Sequence, residues 1–219
     1  ARLSPPGTRD GESRMSDGDF VPALRFPALT RFYDPVVAVT TRESAFKRRL
    51  IEQAAPAPGD RILDLGCGTG TLALLIKRTE PKAELFGLDA DPAMLTRARA
   101  KAEESGLRIR FEEGVSNRLH YPDASFDQVV STLFFHHLMP DVKARTAAEI
   151  HRTLRPGGWL HVADWGRPSD PLMGVLSLSI RLLDGFEPTR DNFNGRLPEI
   201  FTQAGLADVE QTGRLRTVY

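Results

Sequence analysis

The 219-residue sequence contains a single cysteine, Cys67. An internal disulfide framework and a Cys-rich zinc site are therefore excluded, and a reducing cytoplasm is the compartment this composition favours. No excess of either charge is present, since Lys and Arg together number 29, as do Asp and Glu. A general electrostatic hold on nucleic acid or on acidic membranes is not expected. Long apolar runs are lacking too. The most apolar stretch, Leu172 to Leu183, is interrupted by serines and Arg181 and falls short of the roughly 20 residues of a membrane span, so stable membrane insertion is not expected. No signal peptide is expected either. Apolar residues are scarce in residues 1–19, which are rich in Pro, Gly, Ser, Asp and Arg and predict a disordered tail. Met15 is the first methionine. Residues 20–219 read as one domain, and a hydrophobic content of 41% fits a globular core.

The organising stretch is Arg61-Ile62-Leu63-Asp64-Leu65-Gly66-Cys67-Gly68-Thr69-Gly70. Its first half predicts a buried strand after the turn residues Pro56, Pro58, Gly59 and Asp60. Glycines 66, 68 and 70 let the backbone turn sharply and bring N–H groups close to a ligand, and Thr71 to Arg78 predicts a helix. The string Gly68-Thr69-Gly70-Thr71-Leu72-Ala73 also fits the G-x-G-x-x-A pattern of NAD-binding folds. Asp64 points elsewhere: an acid two residues before the first glycine is placed to meet a ligand ammonium, which NAD lacks.

The string Leu63 to Gly70 resembles the first motif of the class I S-adenosylmethionine-dependent methyltransferases, and Tyr121 to Ser131 resembles that family's approach to its fourth strand. Arg155-Pro156-Gly157-Gly158 followed by Trp159 to Asp164 resembles its late motif, read as a turn and a fifth strand. The resemblance runs from about Phe32 to Tyr219. It implies a Rossmann-like α/β sandwich with a mostly parallel sheet, closing in a C-terminal antiparallel hairpin whose second strand is cut short by Tyr219. It also implies an N-terminal helical lid over residues 20–55 and a substrate cover over residues 166–195. In the lid, Asp34-Pro35 opens a short helix and Thr40-Thr41-Arg42-Glu43 a second one, with Phe46, Leu50, Ile51 and Ala54 on one face.

By that resemblance Asp64 and the turn Gly66, Cys67, Gly68 and Gly70 hold the methionine part of S-adenosylmethionine, and Tyr33 touches it from the lid. Asp89 ends the second strand, about 20 residues past the glycine turn, where a carboxylate accepts ribose hydroxyl hydrogens. Ala90 and Met94 follow beside it, although Met94 fits a core position equally well. Asp91-Pro92 reads as the cap of the next helix, with Gly106 as its stop. Gly114, Val115 and Ser116 take the adenine. Val115 departs from the family, in which an aspartate accepts from the adenine amino group; Ser116, Asn117 or the backbone substitutes. Ser131 closes the fourth strand beside the expected position of the methyl group and is a further candidate cofactor contact. The paired His136 and His137 beyond it are the candidate catalytic residues, a histidine there being able to take a proton from a hydroxyl or carbon nucleophile; packing or capping explains at least one of them. Asp127 reads as a structural, strand-opening acid.

Leu172, Met173, Val175, Leu176, Leu178, Ile180, Leu182 and Leu183 surround much of the helix from Pro171 to Phe186, which core packing explains best and a partner or apolar substrate next. Leu197 to Ala204 predicts a last helix. No metal-ligand cluster is visible in the sequence, and none is assigned. The reading is an enzyme that transfers a methyl group from S-adenosyl-L-methionine to a small-molecule acceptor, on carbon or oxygen, and is most similar to the quinone-biosynthesis members. Homo-oligomerisation is left open. Two other readings stand beside it: a non-catalytic S-adenosylmethionine-binding partner or sensor, and an NAD-dependent oxidoreductase.

Overall fold

The computed structural model describes residues 43–214. Tyr33, the disordered-tail expectation and the Asp34-Pro35 helix lie outside the described residues. Helix α1 (Glu43–Ala54) leads to strand β1 (Arg61–Leu65), followed by α2 (Thr71–Thr79), β2 (Glu84–Asp89), α3 (Pro92–Glu104) and β3 (Arg110–Glu113). Strand β4 (Phe126–Thr132) ends in a 3₁₀ turn (Phe135–His137); α4 (Pro140–Thr153), β5 (Leu154–Ala163), α5 (Pro171–Asp184), α6 (Phe186–Phe193) and α7 (Leu197–Gln203) complete the described chain. The sheet order is β3-β2-β1-β4-β5. All four pairings are parallel, with Asp64 opposite Gly87 on one side and Val130 on the other. The chain reverses its direction of winding between β1 and β4. That crevice, at the carboxyl ends of the strands, is where ligands bind such sheets.

The two sheet faces are read off alternate residues of one strand. Leu63 and Leu65 join Val129, Ala147, Ile150, Ile200 and Phe201 in a core built with α4 and α7. Ile62 turns the other way, to Leu50 and Ile51 of α1 and Leu72 and Ile76 of α2. Each such apolar side chain, fully buried, stabilises the fold by about 1.5–3 kcal/mol. Local signals set the ends: Asp91 accepts from Ala93 N–H and caps α3, with Pro92 at its first turn.

Three expectations change. The Arg155-to-Gly158 turn belongs to β5 itself, where the ladder to β4 is irregular between Phe126 and Gln128. A Cβ on Gly158 would lie 2.9 Å from the carbonyl oxygens of Arg155 and Asp127, so the chain passes too close there for any side chain. The C-terminal hairpin is not seen: residues 207–214 form no strand among the described residues. Core packing does not account for α5, since Leu172, Val175, Leu182 and Leu183 are 59 to 74% exposed. Asp127 is structural as expected, accepting from Arg61 N–H at 2.7 Å and pairing with Arg155 at the amino end of the sheet.

Candidate active site

The glycine turn is fastened at both ends. The N–H groups of Gly66 and Cys67 both donate to Leu88 O, at 2.9 and 3.0 Å. Gly68 N–H donates to Asp89 Oδ2 at 2.8 Å, and Asp91 N–H donates to Oδ1 of the same carboxylate at 2.9 Å. Gly66 and Gly68 have φ of 70° and 52°, in the left-handed region. Their surroundings differ. A Cβ on Gly66 would lie 2.2 Å from the Phe134 ring, whereas one on Gly68 would meet nothing within 4 Å. Gly68 therefore faces open space, and its backbone is the part of the turn a ligand can approach.

Asp64 lies beneath this turn, 1% exposed. Its Oδ2 accepts from Ala73 N–H at 3.1 Å, which ties the first turn of α2 to the end of β1. Its Oδ1 is buried without a hydrogen-bond partner. Burial pushes its pKa up to about 7, against the pull of the Lys47 ammonium and the Ala73 N–H, with Asp89 adding a smaller push upward. Desolvation raises Asp89 as well, while the N–H groups of Asp91 and Gly68 hold it down.

A narrow cleft at the carboxyl ends of β1, β2 and β4 is lined by Gly66, Asp89, Ala90, Gly114, Val115 and Asn117, with Phe134 over Gly66. A larger cavity of about 530 Å³ lies beside the first halves of β2 and β3, away from these strand ends. The cleft is the candidate site, because it lies at the carboxyl ends of the strands, with Asp89 in its lining and the glycine turn over the buried Asp64 at its edge.

Several expected contacts fall outside the cleft. Cys67 is 8% exposed and packs with Ala73, Ala98 and Phe111, and burial pushes its thiol well above the usual range. Met94 is 4% exposed, a core residue. Ser131, fully buried, donates to Leu65 O at 2.8 Å and ties β4 to β1. Ser116 borders the cleft, but its hydroxyl is engaged with Thr146 at 2.8 Å. Of the groups expected to replace the missing adenine-binding carboxylate at Val115, Asn117 remains as a half-buried amide in the lining.

Beyond β4 the chain turns through Leu133, at φ 50°, and a single carboxylate organises the next segment. Asp164, at the end of β5, accepts from the N–H groups of Phe134, Phe135 and Trp165, at 3.1, 2.7 and 2.7 Å. It also pairs with His136 Nδ1 at 2.7 Å. His136 and His137 are 3% and 7% exposed, with ring centroids 4.0 Å apart. Asp184, at the end of α5, faces both rings: Nε2 of His136 lies 3.7 Å and Nδ1 of His137 4.0 Å from its oxygens. The sequence marked the two histidines but neither aspartate. Asp164 stood inside a motif read as architectural, and Asp184 sits at the end of an apolar helix, so only folding joins them.

A family model described as "Methyltransferase domain" matches residues 62–158. Over 131 residues the chain is 40% identical to the demethylmenaquinone methyltransferase of Thermus thermophilus, covering 60% of this chain and 59% of that protein. It is 34% identical over 131 residues to the ubiquinone/menaquinone biosynthesis C-methyltransferase of Bdellovibrio bacteriovorus, covering 60% and 55%. The chain thus spans between half and three fifths of the length of these curated relatives. Among solved structures, the YcgJ protein of Bacillus subtilis is 31% identical with a TM-score of 0.55, covering 62% of this chain and 57% of that one. A chain from the complex between the Haloferax volcanii Trm112 methyltransferase activator and a methyltransferase is 25% identical with a TM-score of 0.63, covering 84% and 76%. The parallel five-stranded sheet with the glycine turn at the carboxyl end of β1 is the Rossmann-like methyltransferase fold, and residues 62–158 are similar to the methyltransferase domain.

Proposed function

We propose that the protein transfers a methyl group from S-adenosyl-L-methionine to a small apolar acceptor of the quinol class. The observation that carries the cofactor reading is the unpartnered, buried Oδ1 of Asp64 beneath the glycine turn. The Lys47 ammonium already acts on this carboxylate, but Oδ1 still lacks a hydrogen bond in a dry site, and the cofactor's α-ammonium is a group that can supply it. Asp89 keeps free lone pairs on both oxygens after taking the N–H groups of Gly68 and Asp91, enough to accept from two ribose hydroxyls. Gly68 contributes backbone with no side chain in the way. Asn117 is the group placed to meet the adenine edge in place of the missing carboxylate, and Phe134 is the ring that must swing off Gly66 to widen the cleft.

When bound, the sulfonium supplies an electrophilic methyl group that needs no further activation. The protein's work is then to orient the acceptor and exclude water. His136 is positioned to orient: Asp164 takes its Nδ1–H, so Nε2 carries the lone pair that can receive a hydrogen bond from an acceptor hydroxyl. The exposed leucines of α5, the helix that ends in Asp184, suit an apolar acceptor, as do the names of the relatives, which concern menaquinone and ubiquinone biosynthesis.

The test is incubation with methyl-labelled cofactor and chemically reduced demethylmenaquinone, followed by extraction and mass spectrometry. A product heavier by one methyl group supports the reading. Cofactor binding without product from any quinol or phenol would favour a non-catalytic sensor, and binding of NAD alone would return the oxidoreductase reading.

A further inference from the structure

We propose that His136, His137 and Asp184 form a binding site for one divalent transition-metal ion, with Asp164 as the residue that orients it. Among the described residues these three bring one ligand atom each within 4.8 Å of one another. Zinc-type ligands bond at about 2.0–2.2 Å, which puts atoms sharing one ion a little over 3 Å apart. The 3.7 and 4.0 Å separations to Asp184 are therefore close to a ligand set and too long for hydrogen bonds.

Four features favour an ion over ordinary packing. Asp164 accepts the Nδ1–H of His136, fixing the tautomer in which Nε2 presents its lone pair toward Asp184, and a carboxylate behind a ligating histidine is the usual support of a metal-bound imidazole. Nδ1 of His137 is buried with no hydrogen-bond partner. Two carboxylates, with side chains 1% and 17% exposed, converge on the pair, a charge that a dication balances. Protonation of His136 would satisfy Asp164 and part of Asp184 but would leave His137 Nδ1 unpaired, whereas one ion engages all three ligand atoms. The two-histidine, one-carboxylate set suits zinc, iron(II), cobalt or manganese over magnesium or calcium, which prefer all-oxygen shells.

The placement gives the ion two consequences. It would link the 3₁₀ turn after β4 to the end of α5, pinning the cover helix over the end of the sheet. Three protein ligands also leave a coordination position open. An acceptor oxygen entering that position would be oriented and made more acidic by the ion, which would then stand in for the hydrogen bond to His136 Nε2, a use that rests on the methyl-transfer reading although the binding itself does not.

The experiment is titration of the purified chain with Zn²⁺ alone by calorimetry and with Co²⁺ alone by visible absorption, in chelator-treated buffer without cofactor or acceptor. One equivalent is expected to bind. Asp184→Asn and His137→Gln should each weaken Zn²⁺ binding at least tenfold, while His120→Gln, which alters the exposed His120–Glu112 pair, should leave it unchanged. Far-UV circular dichroism checks that the variants fold; if either does not, the wild-type Co²⁺ spectrum decides, with d–d bands of a nitrogen and oxygen site expected and no thiolate charge-transfer band. Absence of binding by the folded wild type, wild-type affinity in both ligand variants, or loss of binding in His120→Gln would overturn the proposal. Methyl transfer that fails while one Zn²⁺ still binds would count against the activity reading and leave the site standing.

Discussion

Asp64 yields the prediction with the largest calculable signal. Its carboxyl has a pKa of about 7 in the folded chain against an ordinary value of 3.8. The folded state therefore holds a proton that the unfolded chain has released, and stability falls as pH rises from about 4 to about 7. A difference of about three units, at about 1.4 kcal/mol each, makes the accumulated cost about 4 kcal/mol. Asp64→Asn removes the ionisation, so its denaturant-derived stability should lose this slope and gain on the wild type as pH rises. The same linkage acts on the cofactor with opposite sign. An α-ammonium seated at Oδ1 requires the ionised carboxylate, so affinity should rise about fivefold from pH 6 to pH 7 and flatten above that, as the ligand's own amino group, near pKa 8, begins to deprotonate. Calorimetry in buffers of different ionisation enthalpy should show about one proton released on binding at pH 6. A flat pH profile for the wild type, or the same profile in Asp64→Asn, would refute the argument that this buried carboxylate receives the cofactor's cation.

Four other outcomes are expected from the geometry. Gly66→Ala drives a methyl group into the Phe134 ring and should lower stability by at least about 2 kcal/mol in a urea melt, partly restored by adding Phe134→Ala. Gly68→Ala meets no neighbour, so it should cost about 1–2 kcal/mol of backbone strain while weakening cofactor binding more than Gly66→Ala combined with Phe134→Ala does. Val115→Asp restores a carboxylate to the cleft and should tighten binding of the adenosyl ligand about tenfold or more, read by calorimetry. Ser131→Ala loses the tie to Leu65 O and should cost about 1 kcal/mol of stability with no change in cofactor affinity, which would mark Ser131 as structural.

What the sequence disclosed was mostly local. The glycine turn, the acid ending β2 and the Asp91-Pro92 cap each depend on a few consecutive residues whose backbone preferences act together, and each lies where expected. Side-chain direction was less legible. Cys67, Met94 and Ser131 stand beside the cleft in sequence yet turn into the core, because their neighbours across the sheet and on α3 decide which way each points. Helix α6 was not foreseen as separate from α5, since the break is a single glycine, Gly185, at φ 98° in an otherwise helical run. The His136, His137, Asp164 and Asp184 cluster was half visible. It joins the end of β4, the end of β5 and the end of α5, and no spacing along the chain announces such a meeting. The apolar face of α5 was legible as composition, but its exposure was not.

The most direct test of the central claim is transfer itself, with methyl-labelled S-adenosyl-L-methionine, the intact protein and reduced demethylmenaquinone, and label counted in the organic phase. The account predicts label in a product one methyl group heavier, formed at a rate that falls at least tenfold at low cofactor concentration in Asp89→Ala. A folded protein that binds the cofactor but leaves all label in the aqueous phase, with this acceptor and with a panel of quinols and phenols, would contradict it.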